Sequence, residues 1–357
     1  MYKITKIKTR ANGREEEKVL VIYTGGTLGM VFDNKSQSLV PFDFEQIPDN
    51  LPEIARLDFE ITVITLDNLL DSSNMKPQNW VELAEIIEKY YDSFDAFVIL
   101  HGTDTMAYTA SALSYILEGL NKPVILTGAQ LPIGIARTDA KENFITALEI
   151  SIAKKEGRPI ISEVCIYFNS VLLRGNRSRK HESVQFNAFV SENYPPLATV
   201  GVTIDYNWPY LREFSFNSHL KVHKNLNENV LFLKLFPGIS KNLVSNILNT
   251  SNLKGVVLET YGSGNAPTDE WFLEELGKAI ATEILIINVS QCIGGKVAQG
   301  NYQTSRLLAE MGLISGEDIT AEASITKLMM VLGQNLSYQA SVNLLSQNLA
   351  GEIGSIK

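Results

Sequence analysis

The feature that most constrains this chain is a series of short apolar runs that do not alternate. VLVIYT (19–24), FEITVIT (59–65), FVIL (97–100), PVILTG (123–128) and VCIYF (164–168) are strand-sized and rich in β-branched residues. A strand with one wet face alternates apolar and polar side chains. Unbroken runs need cover on both faces, as in a parallel sheet between helices. Segments with helical spacing lie between the runs. One covers 80–94, with Pro77 suited to its first turn. In 106–120, Met106, Ala110, Leu113, Leu117 and Leu120 form one stripe, which Gly119 and Asn121 end. The alternation predicts a doubly wound α/β sheet of the Rossmann or flavodoxin kind.

The rhythm breaks over 195–230, which has no sustained period, and resumes with VLFLKLF (230–236), GVVLETYG (255–262) and EILIINVS (283–290). The expected organisation is two α/β domains. A larger N-terminal domain occupies 1–201, a linker with room for a strand or hairpin 202–226, and a smaller parallel-sheet domain 227–357. A chain of 357 residues has ample length for both cores.

Several function classes recede on composition. A net charge of −9 argues against a nucleic-acid partner. The apolar runs are too short to span a membrane, and the N-terminal stretch lacks a signal-type apolar core, so a cytoplasmic protein is expected. Cys165 and Cys292 both sit in apolar runs and are expected to be buried, reduced thiols. The four histidines and two cysteines show no metal-site spacing, so no metal is expected.

Polar loops follow the strands, at the sheet edge where α/β proteins bind ligands. Thr24-Gly25-Gly26-Thr27 follows the first run. Its glycines allow a sharp turn and a close approach, and it presents the Thr27 hydroxyl. Alone, it reads as a tight turn. His101-Gly102-Thr103-Asp104-Thr105 follows the third run and opens a helix, whose N-terminus favours an anionic group. Asp104 or Thr105 capping that helix accounts for one polar residue, but not for five in a row. Asp71-Ser72-Ser73-Asn74 reads as a cap or a ligand-holding loop. The basic run Arg174–Lys180 reads as solvated surface, or as the source of one cation that reaches the site. A lysine beside an aspartate and a threonine serves as a base if burial lowers its pKa.

TGGT and HGTDTMAYTASALS together resemble the bacterial-type L-asparaginases. DSSNM, TGAQLP, RGNRSRK, FPGIS, ETYGSGNAP and ITAEASITKL resemble the cytosolic type I branch in particular. The resemblance runs from about 20 to 330. It implies Thr27 as nucleophile and Thr103, Asp104 and Lys180 as a second catalytic triad. It implies that Gly26, Asp71, Ser72, Ser73, Thr103 and Asp104 bind substrate, with Asp104 as the ammonium anchor. Asn265 would help complete a neighbouring subunit's site in a homodimer or homotetramer. Many members carry a tyrosine in the loop after TGGT, where the matching position here is Leu39. Tyr302 in GNYQTS is the candidate to replace it.

The expected activity is therefore hydrolysis of the side-chain amide of L-asparagine to L-aspartate and ammonia, with no cofactor. The alternatives are mixed asparaginase/glutaminase specificity and a non-catalytic asparagine sensor. The amidase subunit of a tRNA-dependent amidotransferase is disfavoured by the acidic charge and by the short stretch before the first run.

Overall fold

A computed structural model describes residues 2–10, 17–33, 38–41, 44, 47, 51–298 and 303–354. The chain divides into two compact units. One is Met1–Ser191 with Pro195–Val222, and the other is Glu192–Tyr194 with His223–Lys357.

The first unit is built on a nine-stranded sheet. Its strands are β1 (Tyr2–Ile7), β2 (Lys18–Tyr23), β3 (Glu60–Leu66), β4 (Ala96–Leu100), β5 (Val124–Thr127), β6 (Val164–Phe168), β7 (Val171–Arg174), β8 (Ala198–Val200) and β9 (Ile204–Tyr206). Their order is β1-β3-β2-β4-β5-β6-β7-β8-β9. The five central strands, β3-β2-β4-β5-β6, are parallel. Within that set the chain order is 2-1-3-4-5, the flavodoxin arrangement of a doubly wound sheet. β1 adds an antiparallel edge beside β3, and β7, β8 and β9 continue the other side antiparallel.

The non-alternating runs are buried as their composition requires. Val19 to Tyr23 and Phe97 to Leu100 are fully inaccessible, and Val164 to Phe168 nearly so. Helix α1 (Pro77–Tyr90) begins with Pro77 at its first position. The Asn79 side chain accepts from the Lys76 amide at 2.9 Å. Helix α2 (Met106–Ile116) is shorter than its apolar stripe. Leu117 and Glu118 leave the helix to pair with Val222 and Lys221, and Gly119 follows at φ +76°. Helix α3 (Ala140–Ile152) packs against β5 and β4.

The second unit carries a four-stranded, wholly parallel sheet of β10 (Val230–Lys234), β11 (Gly255–Thr260), β12 (Leu285–Ser290) and β13 (Ile314–Ser315), in that order. Helices α4 (Lys241–Leu248), α5 (Glu270–Ala281) and α6 (Gln303–Glu310) connect the strands. Leu258, Phe272, Leu276 and Leu308 lie in one core cluster. Helix α7 (Ala321–Gly333) lies against β11, where a Cβ on Gly255 would stand 2.7 Å from Leu328. α8 (Tyr338–Leu345) follows. Lys327 of α7 is buried with Glu352. Its Nζ lies 2.6 Å from Glu352 Oε1 and donates to the Leu345 and Gln347 carbonyls at 2.8 and 2.6 Å. Burial lowers the Lys327 pKa, and Glu352 opposes that shift.

Two α/β domains with a large and a small sheet are thus present. The expectation of two buried thiols holds only for Cys165. Cys292 is exposed because β12 ends at Ser290 and the chain turns away from the core. Among the described residues, no helix is long and apolar enough to cross a membrane, and no group of three His, Cys, Asp or Glu could hold a metal ion.

Candidate active site

The strand order reverses between β2 and β4, the switch point at which doubly wound sheets open a crevice. The two threonine loops leave the sheet there, from paired residues Tyr23 and Leu100. Thr24 is buried. Its amide and hydroxyl both donate to the Leu100 carbonyl, at 3.1 and 3.0 Å, and its carbonyl accepts from Leu70 N at 2.8 Å. Gly25 and Gly26 have φ of +122° and +89°. A Cβ on Gly26 would lie 2.6 Å from the Gly102 amide nitrogen, so the loops meet backbone to backbone. Thr27, partly exposed, then opens a single 3₁₀ turn, Thr27–Gly29. Tyr23 braces this turn from the core, donating its hydroxyl to the Gly29 carbonyl at 2.8 Å. Burial raises the Tyr23 pKa, so it stays a neutral phenol committed to that carbonyl.

The second loop is held by a buried relay. His101 Nδ1 lies 2.6 Å from the Gly102 carbonyl, and Nε2 lies 2.9 Å from Thr109 Oγ1, which accepts from Trp80 Nε1 at 3.0 Å. Burial lowers the His101 pKa to about 4, so the ring is neutral near pH 7. A carbonyl only accepts, so Nδ1 carries the proton and Nε2 accepts from Thr109. Neither Asp104 nor Thr105 caps α2 through its side chain. Thr105 Oγ1 instead donates to the Ser72 carbonyl at 2.7 Å, and Asp104 points outward.

The third loop is packed against the second. Ser72 is buried, and a Cβ on Gly102 would lie 2.5 Å from Ser72 Oγ. Asp71 caps the turn Ser72–Asn74. Its carboxylate accepts from the Ser73 amide and hydroxyl, both at 2.9 Å, and these bonds lower its pKa. The capping reading of this turn is thus met by Asp71.

The basic run separates into structural and reaching residues. Arg174 is buried and paired with Glu163, Nε to Oε2 at 2.5 Å, and donates to the Tyr210 carbonyl at 3.0 Å. Arg177 is buried in the turn Gly175–Arg177, which rests on α2 at Ala110. The strand Arg179–Lys180 pairs with Phe189–Val190 and carries Lys180 back over the rim. Lys180 Nζ donates to Thr103 Oγ1 at 2.8 Å and Asp104 Oδ1 at 2.6 Å. The lysine is 19% exposed against 62% for the aspartate, which places the ammonium on the protected side of the pair.

Sequence reasoning missed Gln130, whose Oε1 lies 3.4 Å from Thr103 Oγ1. It follows the carboxyl end of β5 on the same rim, and that position was the available signal. Asn265 lies in the second unit, in a tight turn closed by reciprocal bonds between Tyr261 and Asn265 backbones, both at 2.9 Å. Leu39 pairs with Phe32 in a hairpin after the first loop. Tyr302 falls outside the described residues.

The fold and the rim define a two-domain α/β enzyme, and comparison with known proteins gives its family. The family model "Asparaginase, N-terminal" matches residues 18–212, and "Glutaminase/Asparaginase C-terminal domain" matches 229–345. The chain belongs to the asparaginase family and is an amidohydrolase. It is 40% identical over 341 residues to L-asparaginase 1 of Escherichia coli (strain K12), covering 95% of this chain and 98% of that one. It is 41% identical over 362 residues to the 60 kDa lysophospholipase of Mus musculus. That alignment covers 95% of this chain and 63% of the mouse protein, so the chain spans less than two thirds of that relative. The crystal structure of L-asparaginase I from Vibrio cholerae O1 superposes with a TM-score of 0.86 at 38% identity, covering 95% of this chain and 99% of that one.

Proposed function

We propose that this chain hydrolyses the side-chain amide of L-asparagine to L-aspartate and ammonia, with Thr27 as nucleophile. The observation that carries the reading is Lys180 Nζ within hydrogen-bond distance of both Thr103 and Asp104, on the rim that presents Thr27. A threonine hydroxyl is a weak nucleophile and an amide a weak electrophile, so a proton must leave during attack. Thr27 Oγ bonds to the amide carbon, its proton passes to the relay of Thr103, Lys180 and Asp104, and ammonia departs with a proton. Water then attacks the acyl ester, freeing aspartate and restoring the Thr27 hydroxyl. Backbone amides of the two glycine-bearing loops stabilise the oxyanion.

Gly26, Asp71, Ser72, Ser73, Thr103 and Asp104 hold the substrate in this scheme, Asp104 taking its ammonium. Asn265 serves the site of a neighbouring subunit in a homodimer or homotetramer, and Tyr302 supports Thr27 in place of the loop tyrosine. The protein works in the cytoplasm without a nucleic-acid or membrane partner.

The test is ammonia release from asparagine by the full chain and by Thr27→Ala and Thr103→Ala. Both variants lose turnover while keeping a wild-type melting transition. Wild-type-like turnover in both would overturn the roles. The C-terminal family model, which joins glutaminases with asparaginases, favours glutamine as a second substrate. One methylene is worth only about 1–3 kcal/mol in a pocket, so glutamine belongs in the same assay.

A further inference from the structure

Gln130 has no part in the reaction proposed above, yet its surroundings leave it little freedom. A Cβ on Gly128 would lie 2.4 Å from the His101 carbonyl oxygen, so the loop after β5 rests directly on the loop that carries Thr103. Asp139, the residue before α3, accepts from the Gln130 amide at 3.1 and 2.9 Å and from the Leu131 amide at 3.0 Å. Asn143 Nδ2 holds the Gly128 carbonyl at 3.0 Å and the Asp139 carboxylate at 3.3 Å. The side chain therefore projects from a clamped backbone.

The chemistry of its partners fixes the orientation of its amide. The Gln185 carbonyl, 3.0 Å away, only accepts, so the atom facing it is Nε2. That leaves Oε1, which only accepts, facing Thr103 Oγ1 at 3.4 Å. The same threonine oxygen accepts from Lys180 Nζ, which is ion-paired with Asp104. A hydroxyl has one proton and two lone pairs. Lys180 occupies one lone pair, and the single proton points to Gln130.

We infer that Gln130 is a positioning residue for Thr103. By accepting from the Thr103 hydroxyl before turnover, Gln130 fixes its rotor, directs one lone pair to Lys180 and leaves the second for the reacting group; the hydroxyl turns to Lys180 only as that nitrogen becomes the acceptor in the relay. Gln185 lies five residues beyond Lys180, so the same amide also ties the Thr103 side of the rim to the lysine hairpin. The inference rests on the reading of Thr103 and Lys180 as a proton relay.

The experiment uses the full chain with asparagine and separates kcat from KM. Gln130→Met removes both bonds of the amide, whereas Gln130→Glu keeps an acceptor for Thr103 and loses the donor to Gln185. Gln130→Met is expected to lower kcat about tenfold with KM within about twofold, and Gln130→Glu to stay within about threefold of wild-type kcat. Three results would overturn the inference: undiminished kcat in Gln130→Met, equal loss in both variants, or a raised KM at unchanged kcat. Equal loss assigns the effect to the Gln185 bridge, and a raised KM assigns it to direct substrate contact. A wild-type chain that releases no ammonia overturns the reading of the whole site and this inference with it. An active wild type, an inactive Thr103→Ala and a fully active Gln130→Met overturn the role of Gln130 alone.

Discussion

Thr105 Oγ1 donates to the Ser72 carbonyl at 2.7 Å, joining the loops after β3 and β4 across 33 positions of sequence. A threonine at the start of a helix ordinarily turns its oxygen to a first-turn amide. This one turns to the neighbouring loop and ties the Ser72 backbone to the start of α2. Thr105→Val is expected to lower stability by about 1 kcal/mol in urea unfolding and to raise KM for asparagine. Thr105→Ser restores both. Unchanged KM in the valine variant would separate Ser72 from substrate binding.

Gly26→Ala tests the contact between the two threonine loops. The added methyl meets the Gly102 backbone at 2.6 Å, and the residue must keep φ near +89°. The expected outcome is a loss of roughly 1–3 kcal/mol from backbone strain alone and turnover reduced well beyond the stability loss. Denaturant titration and ammonia release on the same preparation read the two effects.

His101 gives a pH dependence with a defined sign. Its pKa is about 4 in the fold, lowered by burial, against about 6.5 in the unfolded chain. Between these values the unfolded chain binds a proton that the folded chain does not, so stability falls as pH falls from 6.5 towards 4. The full span is on the order of 3 kcal/mol. Urea midpoints at pH 7, 5.5 and 4.5 should show this slope in the wild type and less of it in His101→Gln. Parallel slopes would remove His101 as its source.

Lys180→Arg separates charge from proton transfer. Arginine keeps a cation opposite Asp104 but stays protonated, so it cannot act as a base. Turnover is expected to fall by about 10²–10⁴, with the melting temperature held near wild type. An active arginine variant would limit Lys180 to an electrostatic role.

Glu352→Gln probes the buried pair of the second unit. Removing the anion takes away the ion-pair partner of the buried Lys327 ammonium and is expected to cost about 3–5 kcal/mol. A Lys327→Met, Glu352→Leu double variant should recover much of that loss in the same unfolding experiment.

The central strands were legible because their burial on both faces forces an unbroken apolar run. β2 through β6 fall within one or two residues of the runs that announced them. The loops were legible because glycines and small polar residues at a strand end pack poorly into a core and suit a turn that faces a ligand. Local periodicity failed where long-range pairing intervened. Leu117 and Glu118 continue the helical stripe, yet pair with Val222 and Lys221, a hundred residues on. β1 was missed because YKITKI pairs as a half-exposed edge, not as a buried run. The reach of Lys180 depends on a turn seated on α2, and no spacing rule relates residue 180 to residue 103. Arg174 and Arg177 look the same as Lys180 in sequence, and burial alone separates them.

The near-contact of Gly26 with Gly102 has a mechanical consequence. With no side chain between them, the two threonine loops meet backbone to backbone just beyond the paired ends of β2 and β4, strands about 4.8 Å apart. The backbone spacing of the two loops is therefore held to the tolerance of a hydrogen-bonded ladder. On heating, this part of the rim should keep its spacing until the β2–β4 ladder itself gives way, so inactivation and sheet melting should share one midpoint.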